Sequence, residues 1–146
     1  MRILVLNGPN LNLLGIREPE LYGRESLADI EARTRSVAAE LGVQIEFAQH
    51  NGEGELIDAI QAMKGRFDAA LINAGAYSHT SLAIHDALTS VSIPFAEVHL
   101  TNIFAREPER RRSVLSDAAV GMLCGFGAIG YELALRGLVS RLSANG

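Results

Sequence analysis

The 146-residue chain holds one cysteine, no tryptophan and only 5% aromatic residues. A single thiol excludes an internal disulfide. Cys124, set in an apolar run, reads as a core residue of a reduced, cytoplasmic protein. Positive charge is also scarce: 13 Lys and Arg against 17 Asp and Glu leave a net charge of −4. That balance removes the basic footprint expected of a protein that binds nucleic acid or anionic membranes. No apolar run approaches the roughly 18 residues of a membrane span, and no secretory signal precedes the first predicted strand. Internal repeats and shifts in composition are missing too, so residues 1–146 read as one domain. Aliphatic residues and alanine dominate the 48% hydrophobic content, which suits a sheet covered by tightly packed helices. A chain of this length buries about 68–70% of its unfolded surface.

Short β-rich runs alternate with amphipathic stretches. Strands are predicted at Arg2–Leu6, Gln44–Ala48, Phe67–Ile72, Phe95–Val98 and Ala119–Cys124. Ser26 and Asp29 form a capping box, after which Leu27, Ile30, Thr34, Val37, Ala38 and Leu41 mark one helix face that Gly42 ends. Leu56, Ile57, Ile60 and Met63 define a second helix, stopped by Gly65; a third begins near Ser81; a fourth carries Leu133, Leu135, Leu138, Val139 and Leu142. This alternation predicts βαβ units and a parallel five-stranded sheet of flavodoxin-like order 2-1-3-4-5, with helices on both faces. Ligands in such sheets bind beyond the carboxyl ends of the strands where the order reverses. The rule gathers Asn7, Asn73, Glu97 and His99 into one crevice.

The segment Pro9–Arg24, PNLNLLGIREPELYGR, is longer than an ordinary connector, and its leucines argue against a solvated linker. It also carries polar groups able to do chemistry, Asn10, Asn12, Arg17, Glu18 and Tyr22. Gly15 and Gly23 bracket the stretch that holds Arg17 and Tyr22, as hinges of a lid would. Asn73-Ala-Gly-Ala-Tyr-Ser-His-Thr-Ser81 follows strand 3 and offers backbone N–H groups and side-chain donors to an oxygen-rich ligand, alongside capping by Ser78 or Thr80. His79 has no partner at metal-ligand spacing, which argues against zinc. Glu97 and His99 lie two apart on a strand and so share a face, where a carboxylate can fix the imidazole tautomer for acid–base work. Among the charges of Arg106–Arg112, one or two arginines are expected to reach the crevice, with Arg111 and Arg112 on the surface. Gly125-Phe-Gly-Ala-Ile-Gly130 matches G-x-G-x-x-G, but no strand with an acidic residue about 20 positions on follows it. A tight turn with close helix–strand packing explains those glycines better than a cofactor does.

Taken together, Leu6-Asn-Gly-Pro-Asn-Leu-Asn-Leu-Leu-Gly15, Arg17-Glu-Pro-Glu-Leu-Tyr-Gly23, Asn73–Thr80, Glu97-Val-His-Leu-Thr-Asn102 and Cys124-Gly-Phe-Gly127 resemble the type II 3-dehydroquinate dehydratases over nearly the whole chain. The resemblance implies dehydration of 3-dehydroquinate to 3-dehydroshikimate by a stepwise elimination through an enolate, with no cofactor and no metal. It also implies a homododecamer built as a tetramer of trimers. Tyr22 would be the base, acting as tyrosinate. A tyrosine phenol is ordinarily protonated at neutral pH (pKa about 10), so such a base requires a positive neighbour, a role that Arg17 matches. A water on Asn12 would hold the enolate, and His99, oriented by Glu97, would protonate the departing hydroxyl. Asn73, His79 and Arg110 match positions that hold substrate hydroxyls. The backbone N–H groups of Leu100 and Thr101, with the Thr101 hydroxyl, match a carboxylate site, and Asp86 matches a residue that reaches the neighbouring subunit's site.

The chain departs from the family pattern at Phe104, Glu109, Arg111, Arg112 and Ala74, none of which touches the expected base, acid or lid arginine. The competing readings are an FMN-binding electron-transfer protein and a non-catalytic regulatory domain on the same fold. The first lacks its Ser/Thr-rich phosphate loop after strand 1, where Gly-Pro-Asn-Leu-Asn stands instead.

Overall fold

Five short aliphatic runs pair into one parallel sheet: β1 (Arg2–Asn7), β2 (Gln44–Gln49), β3 (Ala69–Asn73), β4 (Phe95–His99) and β5 (Gly121–Cys124). Their order across the sheet is β2-β1-β3-β4-β5, as the sequence predicts. The computed structural model describes residues 1–145. Five helices complete the fold: α1 (Pro19–Tyr22), α2 (Leu27–Leu41), α3 (Glu53–Gln61), α4 (Leu82–Val91) and α5 (Ile129–Asn145).

Alternate residues of each central strand point to opposite faces. Ile3 and Val5, with Leu71 and Val98, pack against Ile30 and Val37 of α2 and Tyr131, Leu135 and Leu138 of α5. Leu4, Leu6, Ile72 and Phe95 pack the other way, against Leu56 and Ile60 of α3 and Ile84 and Leu88 of α4. Burying each of these side chains is worth roughly 1.5–3 kcal/mol. The periodicity also carries Asn7 and Asn73, register partners at the ends of β1 and β3, onto the α2/α5 face.

Local signals explain the boundaries. Ser26 accepts from the Asp29 N–H while the Asp29 carboxylate accepts from the Ser26 N–H, the reciprocal capping box expected at the start of α2. Gly42 ends that helix with φ of 71°. Ser81, rather than Ser78 or Thr80, caps α4 by accepting from the Ile84 N–H. α3 stops at Gln61, earlier than its apolar spacing implies, because a turn leads into Gly65 while Met63 stays fully buried. Strand β3 starts two residues later than expected: Phe67 N–H closes a turn on the Met63 carbonyl, and the Asp68 carboxylate accepts from the Arg2 N–H.

Two further expectations need correction. Cys124 is only partly buried, because β5 is the sheet's edge strand, with a neighbour on one side only. Leu133 likewise faces outward, 40% exposed, while Leu135 and Leu138 on the same helix are buried. At the carboxyl end of the sheet, the chain after β1 runs against the chain after β3. A Cβ on Gly8 would lie 2.5 Å from the Ala74 carbonyl oxygen, so only glycine permits this approach.

Candidate active site

The sheet topology brings the ends of β1, β3 and β4 together, and the segment from Pro9 to Arg24 folds across them. That segment is ordered by a 3-10 turn at Leu11–Leu13 and by the one-turn helix α1, with Leu11 and Leu14 buried as anchors. Gly15 and Gly23 adopt φ of 89° and 88°, a range that glycine enters without steric cost. Asn10 and Glu18 share that range at 69° and 39°, a conformation non-glycine residues hold only where surrounding contacts compel it.

Beneath the segment lies a pocket of about 120 Å³ whose wall includes Arg17, Tyr22, Asn73, His79, His99 and Arg110. Leu100 and Thr101, which follow β4, line it as well, as does Arg106. Seven of the predicted site residues therefore meet with an eighth, Thr101, in one cavity. Glu97 stands directly behind His99. Its Oε2 is 2.5 Å from His99 Nε2, and its Oε1 accepts from Ser113 Oγ at 2.9 Å and Ser116 Oγ at 2.7 Å. Burial opposes the charge of this fully enclosed carboxylate, but the hydrogen bonds from His99, Ser116 and Ser113 outweigh it and hold the carboxyl below its ordinary range. An ionised carboxylate only accepts, so His99 carries its proton on Nε2 and leaves Nδ1 for the pocket.

His79 is oriented in the opposite sense. Its Nδ1 lies 2.7 Å from the Arg112 carbonyl oxygen, which fixes the proton on Nδ1 and leaves Nε2 as an acceptor. Burial disfavours its cation; the Arg112 carbonyl works against this, but His99, Arg110 and Arg106 add positive surroundings that keep the ring neutral. Tyr22 sits under two guanidinium groups, Arg17 at 4.9 Å and Arg106 at 5.4 Å from its ring centroid. Arg106 is mostly buried, with 14% of its side chain exposed. Arg110 pairs with Glu107 at the pocket rim.

Three predicted residues lie apart from this cavity. Asn7, expected in the crevice, is fully buried and lines no part of it, its side chain bonded to Tyr131 and the Ala48 carbonyl instead. Asn12 is exposed on the 3-10 turn, its amide oxygen 3.4 Å from Gln49 Nε2, and it does not line the pocket. Asp86 projects from α4 into solvent, 82% exposed, with His85 Nδ1 3.8 Å away. Arg111 and Arg112 are on the surface as expected, although the Arg112 backbone carbonyl serves His79. Sequence reading passed over Arg106 as one charge among many, and over Ser113 and Ser116 entirely. It also missed Tyr131, whose place among the leucines of α5 resembles any core position. The Gly125–Gly130 turn fits the packing explanation: a Cβ on Gly130 would meet Leu123 Cδ2 at 3.2 Å, and one on Gly125 would meet Asn102 Cβ at 3.2 Å. Among the described residues, no cluster of three or more His, Cys, Asp or Glu side chains is arranged to hold a metal ion.

A doubly wound parallel α/β domain places a carboxylate-backed histidine and an arginine-flanked tyrosine in one pocket, an arrangement able to do acid–base work. Residues 1–139 match the profile of the family described as Dehydroquinase class II, and the chain belongs to that family. It is 61% identical over 142 residues to a 3-dehydroquinate dehydratase of Gemmatimonas aurantiaca, covering 97% of this chain and 93% of that protein. It is 56% identical over 144 residues to the protein of that name from Aliivibrio fischeri, covering 99% and 97%. A type II dehydroquinase structure from Butyrivibrio crossotus superposes with a TM-score of 0.92 at 42% identity, covering 96% of this chain and 97% of that one.

Proposed function

We propose that this protein dehydrates 3-dehydroquinate to 3-dehydroshikimate as a lyase, in a stepwise elimination that needs no metal or cofactor. What carries the reading is the pairing, across one pocket, of Tyr22 under two guanidinium groups with His99 on a buried carboxylate. The substrate holds a proton alpha to its ketone and a hydroxyl one carbon further. Tyr22, as tyrosinate, takes the alpha proton; the C–H bonding electrons pass into the ring ketone and leave an enolate. Arg17 and Arg106 stabilise the phenolate before that step, which their position over the ring favours. A water on Asn12 holds the enolate oxygen.

His99 then gives its Nδ1 proton to the hydroxyl, the C–O bond breaks, water leaves, and the enolate collapses to the conjugated enone. The Glu97 carboxylate holds the ring and offsets the imidazolium charge before donation. Proton return from tyrosine and to histidine through solvent closes the cycle. Asn73, His79 and Arg110 bind the substrate hydroxyls, while the N–H groups of Leu100 and Thr101 with the Thr101 hydroxyl bind its carboxylate. The working unit is a single catalytic domain, residues 1–146, whose lid is segment 9–24. It assembles as a dodecamer, a tetramer of trimers in which Asp86 reaches a neighbour's site, and it acts in the cytoplasm. The exposure of Asp86, away from its own pocket, supports the shared site. FMN binding is not favoured by the family to which the chain belongs.

The test is the rise in ultraviolet absorbance from enone formation when purified protein meets 3-dehydroquinate. A rise that persists in EDTA supports the proposal; no rise with the assembled protein overturns it.

A further inference from the structure

Behind the pocket, three buried side chains from three elements form a continuous chain of hydrogen bonds. Tyr131, the third residue of α5, is fully buried, as is Asn7 at the end of β1, and Asn73 at the end of β3 is 3% exposed. Tyr131 Oη lies 2.6 Å from Asn7 Oδ1 and 2.9 Å from Asn73 Nδ2. The chain has two ends that permit only one polarity. Asn7 Nδ2 is 3.1 Å from the Ala48 carbonyl, which can only accept, and Asn73 Oδ1 is 3.1 Å from the Gly75 N–H, which can only donate.

These ends determine every proton between them. Asn73 must turn its oxygen to Gly75 and its amide nitrogen to Tyr131, and the tyrosine must donate onward to Asn7. Burial keeps the Tyr131 phenol protonated well above the ordinary tyrosine range, so the hydroxyl stays a donor. One of the two Asn73 N–H bonds is spent on Tyr131. Asn73 also lines the pocket, and no described residue takes its other N–H.

The geometry points to Tyr131 as a positioning residue, whose buried hydroxyl holds the Asn73 amide so that it offers an N–H to the pocket that also contains the acceptor Nε2 of His79. One donor and one acceptor together match an alcohol, which accepts from Asn73 and donates to His79. A ketone or carboxylate oxygen would meet the His79 lone pair without a proton to give it. Tyr131 thus sets hydroxyl selectivity from behind the pocket, through a side chain that touches no ligand. The inference rests on the dehydratase reading of the site.

The test is a mutant cycle on steady-state turnover of 3-dehydroquinate, with the intact assembled protein as wild type, Tyr131→Phe, Asn73→Ala and the double variant. Loss of one buried hydrogen bond of ordinary strength predicts a KM raised about three- to tenfold in Tyr131→Phe. The account predicts kcat within about twofold of wild type, because the contact is made equally in ground and transition states. It predicts that the double variant has the KM of Asn73→Ala within about twofold, because Tyr131 acts only through that amide. A merely structural tyrosine would instead give independent effects that multiply, or a KM unchanged in the single variant, and either result overturns the inference. Should Tyr131→Phe fail to fold, Asn7→Ala, which removes the acceptor that orients the hydroxyl, enters the cycle in its place with the same expected pattern. A wild type without turnover overturns the dehydratase reading and this inference with it; a working wild type with multiplicative effects overturns this inference alone.

Discussion

His79 and His99 stack with ring centroids 6.3 Å apart and planes inclined by 17°, and each commits one nitrogen away from the other. His79 gives its Nδ1 proton to the Arg112 carbonyl, and His99 gives its Nε2 proton to Glu97. Two imidazolium rings at this separation would repel, and the surroundings of His79 disfavour its charge. His79 is buried, faces Arg106 and Arg110, and is held neutral. His99 rests on the carboxylate. In the proposed mechanism the pair divides into a hydrogen-bond acceptor for binding and a proton donor for chemistry.

From that division, His99→Ala is expected to lower kcat by about 10²–10⁴-fold, the ordinary contribution of a general acid. In the proposed stepwise elimination proton abstraction comes first, so the variant should still exchange the substrate's alpha proton with deuterated solvent, followed by NMR. Loss of both exchange and elimination would mean that the two steps are not separable in the way proposed.

Arg106 was not marked out by sequence, yet its guanidinium lies 5.4 Å from the Tyr22 ring centroid in a mostly buried setting. A desolvated cation over an aromatic ring contributes on the order of 2 kcal/mol. Replacing Arg106 with Met is accordingly expected to lower kcat by about tenfold or more, with Arg17→Met acting in the same direction. Turnover of Arg106→Met equal to wild type would remove Arg106 from the machinery.

Glu97 makes a prediction for acid stability. Its carboxyl is held below the ordinary value of 4.5 in the folded protein, so between those two values the unfolded chain binds the extra proton. The stabilisation is present in full above pH 4.5 and is lost as pH falls through the folded value. Denaturant unfolding from pH 7 down to pH 3 should show a plateau and then a decline. Glu97→Gln should be less stable at neutral pH by about 1–3 kcal/mol and decline less steeply in acid. An acid slope identical in the two proteins would mean that other carboxylates govern it.

Asp86 is 82% exposed and remote from its own pocket. Its removal should leave unfolding unchanged within about 0.5 kcal/mol, as for other surface positions. If Asp86 serves a neighbour's site by a charged hydrogen bond, Asp86→Ala lowers kcat/KM by about tenfold or more. Co-refolding Asp86→Ala with Tyr22→Phe chains should then restore activity, since a mixed trimer contains a site with Tyr22 from one chain and Asp86 from the other. No gain on mixing would place Asp86 outside catalysis.

Sheet order, strand positions and the convergence of Asn73, Glu97 and His99 were legible because they follow from period-2 and period-3.6 patterning and from one topological rule. The capping box at Ser26 and Asp29 was legible for the same reason, as a local signal with a local cause. Partnerships between distant segments were not. Ser113 and Ser116 bond Glu97 across 16 and 19 residues, and Tyr131 meets Asn7 across 124. Nothing in the spacing of a serine or a helical tyrosine encodes such a partner. Cys124 was misjudged because an apolar run does not reveal whether its strand is central or at an edge. Arg106 was hidden in a charge run, where composition favours solvent over a pocket.

The most direct measurement compares wild type with Tyr22→Phe in enone formation from 3-dehydroquinate, with substrate binding measured on both. The account predicts a steep absorbance rise for wild type, a loss of about 10²-fold or more in the variant, and binding kept within a few-fold. Equal rates in the two proteins would contradict the assignment of Tyr22 as the base, and with it the mechanism proposed for this site.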